Sequence, residues 1–142
     1  MPPGMPDGPS PEGLASEYRG KVLLVDDNLS ARQYGADILR ALRYEVVMCG
    51  SQAEGVRSLE QDVFELVIVS QGSHAFEGRS VLERAVEIDR HLPVLVTARC
   101  PNRKCYLEAM QLGAVDYLEE PVPPETLVWV IETHLRPRSV AA

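Results

Sequence analysis

Short unbroken apolar runs alternate with amphipathic stretches five times along the chain, and that alternation limits what it can fold into. The runs fall at residues 22–25, 46–48, 66–69, 94–96 and, more weakly, 116–118. They are rich in Val, Leu and Ile with no polar alternation, the pattern of parallel strands covered on both faces. Between them the period changes. Tyr34, Ile38 and Leu42 recur at helical spacing, as do Ala53, Val56 and Leu59. Leu82, Ala85 and Val86 form a third stripe, Leu107 and Met110 a fourth, and Leu127, Val130, Ile131 and Leu135 a fifth. Right-handed crossovers turn five such β-α units into an α/β fold, a doubly wound five-stranded parallel sheet with helices on both faces.

Helix boundaries are partly written in the side chains. Ser51 with Glu54 and Ser80 with Glu83 have capping-box spacing. Pro124 suits the first turn of the last helix, and Gly113 suits a left-handed stop after the fourth. Gly35 weakens the first helix by about 1 kcal/mol relative to Ala. Residues 1–20 hold five of the 11 prolines and four of the 10 glycines with almost no apolar periodicity, and read as a flexible leader. Residues 21–136 form the domain and 137–142 a tail.

Composition excludes several functions. A net charge of −7 on 142 residues opposes direct nucleic-acid binding through phosphates. No apolar run approaches the roughly 20 residues of a membrane span, and no signal peptide opens the chain. Three cysteines without metal-ligand spacing point to reduced thiols and a cytoplasmic setting.

In doubly wound folds chemistry gathers at the carboxyl ends of the strands. Strand 1 ends in Asp26-Asp27-Asn28, strand 3 in Ser70-Gln71-Gly72, strand 4 in Thr97-Ala98-Arg99 and strand 5 in Glu119-Glu120-Pro121. Adjacent carboxylates after an apolar strand suit a hard cation such as Mg²⁺; alternatively, Asp27 caps the first helix and Asp26 faces solvent. A Ser70/His74/Asp27 hydrolase triad fails, because the nucleophile elbow needs Gly where Ile68 stands. No Gly-rich phosphate loop follows strand 1.

The segments KVLLVDDN, FELVIVSQGSHAFEG, LPVLVTA and AMQLGAVDYLEEPV, taken in order, resemble the receiver domain of bacterial two-component response regulators, from about Lys21 to Leu135. The resemblance implies that Asp26 and Asp27 correspond to a Mg²⁺-binding pair, Thr97 to a phosphoryl-binding hydroxyl and Tyr117 to an aromatic switch. It also implies a cis peptide before Pro121. Two positions depart. Ser70 stands where the phospho-accepting Asp belongs, and Glu120 where a Lys belongs. The family's three Asp and one Lys sum to −2, whereas Asp26, Asp27 and Glu120 with neutral Ser70 sum to −3. Arg99 is placed to pair with Glu120.

A serine hydroxyl is a weak nucleophile without an adjacent base, and a carboxylate at 120 repels a phosphoryl group. The expectation is a degenerate receiver, not an enzyme, that signals by phosphorylation-independent protein contact, with no cofactor beyond weak, vestigial Mg²⁺ at Asp26 and Asp27. Two alternatives stand beside it: a phosphoprotein using Ser70 or another acceptor, and a metal-dependent enzyme or nucleotide-binding module on the same fold. The expected contact face is helix 4, strand 5 and helix 5, with Trp129 as anchor for a signalling partner or a homodimer.

Overall fold

The computed structural model describes residues 18–135. Five strands, β1 (Lys21–Val25), β2 (Glu45–Cys49), β3 (Leu66–Ser70), β4 (Val94–Ala98) and β5 (Asp116–Glu119), alternate with five helices. These are α1 (Leu29–Ala41), α2 (Gln52–Gln61), α3 (Arg79–Ile88), α4 (Arg103–Leu112) and α5 (Pro124–His134). All strand pairs are parallel and the sheet order is β2-β1-β3-β4-β5. The chain order reverses at β1 and β3, so the ends of these two strands flank the crevice where such folds place their sites.

The strands read as continuous apolar runs because both faces are covered. Every residue of β3 and β4 is buried. One face packs Leu59 of α2, Val81, Leu82 and Ala85 of α3, and Cys105 and Ala109 of α4. The other packs Ala36 and Leu39 of α1 with Leu127, Val130 and Ile131 of α5.

The caps mostly follow the sequence. Asn28, not Asp27, caps α1, its Oδ1 accepting from the Ala31 amide at 2.9 Å. Ser51 accepts from the Glu54 amide at 3.2 Å, while Glu54 reaches back to the Gly50 amide at 2.9 Å. Gly113 ends α4 at φ 112°, a left-handed conformation that favours glycine. Pro124 opens α5. The Ser80–Glu83 spacing does not cap α3. That helix starts two residues earlier, with Gly78 at its N-cap, and the Ser80 hydroxyl instead donates to the Glu77 carbonyl at 3.3 Å. Gly78 is wedged against the end of β3: a Cβ there would lie 2.1 Å from the Ser70 carbonyl oxygen. That packing fixes where α3 begins.

Of the expected leader, Arg19 is tied to the domain, its amide donating to the Arg43 carbonyl and its guanidinium gripping Glu132 at 2.9 Å through both nitrogens. Residues 1–17 of that leader and the 137–142 tail lie outside the described residues. No helix among the described residues is long and apolar enough to cross a membrane.

Candidate functional site

The strand ends place the predicted residues together. Asp26 follows β1, is 4% exposed and accepts from the Asn28 amide at 2.9 Å. It is thus buried, not solvent-facing, and burial pushes its carboxyl above the ordinary aspartate value, opposed by the Asn28 amide and by Arg99. Asp27 is exposed. Ser70 and Thr97 are direct partners across β3 and β4, and both are buried. The Ser70 hydroxyl accepts from the Gly72 amide at 3.2 Å. Glu120 follows β5, its side chain largely covered, and the Glu120–Pro121 peptide is cis.

Arg99 organises this cluster. One guanidinium nitrogen lies 3.5 Å from both Asp26 Oδ1 and Glu120 Oε1, and the other lies 3.5 Å from Asp27 Oδ1. Sequence pairs Arg99 with Glu120; the fold adds both aspartates, because only β3 separates β4 from β1. A second guanidinium, that of Arg32, donates to the Asp26 carbonyl at 2.7 Å, so three carboxylates face two guanidinium groups and the cluster stays at −1.

This donor set is a poor fit for Mg²⁺. Three oxygen-bearing positions would have to converge on the ion, yet Ser70 supplies no charge and a guanidinium already sits among the carboxylates. Among the described residues no group of three or more His, Cys, Asp or Glu is arranged to hold a metal. Neither lysine supplies a second cation: Lys21 binds Asp62 at 2.6 Å, and Lys104 lies on α4. His74 is exposed, and only its carbonyl is engaged, by the Cys105 thiol, so no hydrolase triad forms with Ser70.

A residue that the sequence did not single out, Gln71, completes the site. It is fully buried at the end of β3. Its amide nitrogen donates to the carbonyls of Ser73 and Cys100, each at 3.2 Å, and its side-chain oxygen accepts from the Tyr117 hydroxyl. Tyr117 in turn accepts from the Asn102 amide at 3.2 Å and meets Tyr106 edge-on at 5.5 Å. Burial raises the Tyr117 phenol. A glutamine directly after a buried strand must find partners, and that is the signal in the sequence. The network holds Tyr117 against the site through β3, the β4–α4 loop and β5 together.

On the expected contact face, Trp129 is 66% exposed, and Tyr106 and Leu107 of α4 are also exposed. The run 127–131 thus splits, with Leu127, Val130 and Ile131 buried and the indole outside.

Residues 22–132 match the family model described as the response regulator receiver domain. The chain belongs to that family. Among receiver-containing relatives, the transcriptional regulatory protein ZraR of Escherichia coli K12 is 26% identical over 114 residues, covering 80% of this chain and 26% of ZraR. The response regulator protein FleR of Pseudomonas aeruginosa is 31% identical over 114 residues, covering 80% of this chain and 24% of FleR. The chain therefore spans about a quarter of the length of these curated relatives. A receiver domain from Methanospirillum hungatei superposes with a TM-score of 0.78 at 23% identity, covering 86% of this chain and 98% of that one. NtrX from Brucella abortus superposes at 0.73 with 25% identity, covering 82% of this chain and 27% of NtrX. The five-stranded receiver fold and a place in two-component signalling follow.

Proposed function

We propose that this receiver signals by protein contact without phosphorylation, catalyses no reaction of its own and needs no cofactor. The observation that carries the reading is Arg99, a tethered cation spanning Asp26, Asp27 and Glu120 at 3.5 Å each. It occupies the acidic centre that phosphotransfer would need open to a metal. Ser70 adds to this. Acyl-phosphate formation requires a carboxylate, and Ser70 is 3% exposed, its hydroxyl accepting from the Gly72 amide with no base hydrogen-bonded to it. The same burial counts against Ser70 as the acceptor of another kinase. The partner is a signalling protein or a second copy, docking on α4, β5 and α5 around the exposed Trp129 indole.

Incubation of the full chain with acetyl phosphate and Mg²⁺, followed by intact mass, tests the reading. The wild type is expected to gain no phosphoryl group. Ser70→Asp alone, or with Glu120→Lys, should label poorly while Arg99 remains between Asp26 and Asp27, and adding Arg99→Gln to the pair should permit labelling that requires Mg²⁺. A hydroxylamine-labile phosphoryl group on the wild type overturns the proposal. A hydroxylamine-resistant one on Ser70 overturns it in favour of the phosphoprotein alternative.

A further inference from the structure

The two faces of the sheet are covered unequally. On one face α2, α3 and α4 pack side by side, whereas on the other α1 and α5 make little direct contact. A cavity of about 490 Å³ opens between them and reaches the sheet. Its floor is Leu24 and Ile68, partners in register on β1 and β3. Each retains 4% exposure, while Val22, Val25, Val67 and Val69 on the same strands retain none.

The cavity walls follow from residue size. Ala31 and Gly35, one turn apart on α1, line it with almost no side chain. Even a single methyl at Gly35 would lie 3.2 Å from the Leu24 side chain. The opposite wall is Leu127 and the proline-rich turn after β5. The Tyr34 hydroxyl donates to the Val122 carbonyl at 2.6 Å and ties the two walls together. Asp26 and Glu120 also line the cavity.

We propose that this slot binds a small amphipathic amine, its apolar body between Leu24, Ile68 and Leu127 and its ammonium at Asp26 and Glu120. A volume of about 490 Å³ lies within the range of small-molecule sites, which are apolar with a few convergent polar groups. The polar groups here are carboxylates, and the cluster they belong to stays negative, three carboxylates against the guanidinium groups of Arg99 and Arg32. Arg99 meets Asp26 through Oδ1 and Glu120 through Oε1, which leaves the second oxygen of each carboxylate for an ammonium, a ligand that needs no three converging oxygens as Mg²⁺ does. An anion of the same shape meets repulsion, and a neutral analogue forgoes the charge pairing. The site stands whether or not the domain takes a phosphoryl group.

The test titrates the full chain with phenethylamine, 2-phenylethanol and 3-phenylpropionate while following Leu and Ile methyl resonances. Phenethylamine is expected to shift Leu24 and Ile68 saturably, binding about tenfold more tightly than the alcohol, with no saturable shift from the acid. Glu120→Gln should lower the amine's affinity severalfold towards that of the alcohol, with Asp26 keeping part of the preference. Ala31→Phe should abolish both while leaving the far-ultraviolet circular dichroism unchanged. The proposal is overturned if the amine gives no saturable shift, if all three probes bind alike, or if Glu120→Gln leaves the amine's affinity unaltered.

Discussion

Replacing Arg99 by Gln removes the cation whose guanidinium lies 3.5 Å from each of Asp26, Asp27 and Glu120. At 3.5 Å and an effective dielectric of 20, each contact amounts to roughly 4.7 kcal/mol before screening. That figure is an upper bound, because the Arg99 side chain is 41% exposed and the Asp27 side chain 73%. Exposed pairs contribute up to about 1 kcal/mol, and the buried Asp26 contact more. The expected cost at neutral pH is therefore about 2 kcal/mol, a fall of roughly 8 °C in Tm for a domain of this size. Magnesium supplies the second half of the test. With Arg99 gone, the unrelieved repulsion among the carboxylates favours a divalent ion that draws Asp26 and Asp27 together, and saturation at a hundred times its Kd returns about 2.7 kcal/mol. Thermal unfolding followed by circular dichroism, with and without Mg²⁺, should show a stable, Mg²⁺-indifferent wild type. The Arg99→Gln variant should be less stable and Mg²⁺-responsive, and Arg99→Lys should fall between them. If the wild type gains as much from Mg²⁺ as the variant, Arg99 is not the cation of this site.

Further outcomes follow from the same geometry. Gln71→Leu strands the Tyr117 hydroxyl and should cost about 1–3 kcal/mol in urea unfolding; a double-mutant cycle with Tyr117→Phe should show strong coupling. For Asp26, a folded-state value raised mainly by burial means that the folded state holds the proton more tightly than the unfolded chain. Asp26 ionisation thus subtracts stability as pH rises from the ordinary aspartate value through the raised one, so Asp26→Asn minus wild type should grow more favourable across that window and then level off. Asp62 and Glu132, lowered by Lys21 and Arg19, act in the opposite sense: their stabilisation is lost as pH falls through their folded values, and Glu132→Ala should flatten the acid limb of the unfolding profile. Trp129→Ala should change stability by less than about 0.5 kcal/mol while weakening association measured by light scattering or partner pull-down; unchanged association removes the indole as anchor.

The fold was legible because β3 and β4 are buried throughout, and burial on both faces leaves uninterrupted Val, Leu and Ile. Ser51, Gly113 and Pro124 marked their helix boundaries because local hydrogen bonds and dihedrals set them. Ser80 misled because a long-range contact, Gly78 against the Ser70 carbonyl, decides where α3 begins. The site divides in the same way. Asp26, Ser70, Thr97 and Glu120 were visible as polar residues ending apolar runs. The bridging reach of Arg99 depends on strand order, and the role of Gln71 depends on partners from three segments. Neither spacing nor composition encodes such adjacency.

A cation carried on the side chain of residue 99 differs in kind from one drawn from solution. Its local concentration is fixed by covalent attachment and does not follow the free-ion pool of the cell. A state held in this way has no chemical half-life, since no labile bond decays to reset it. On the proposed reading, the duration of the signal is then the lifetime of the polypeptide itself, and its strength is the number of copies made. Control passes from kinases and phosphatases to synthesis, turnover and competition for the docking partner.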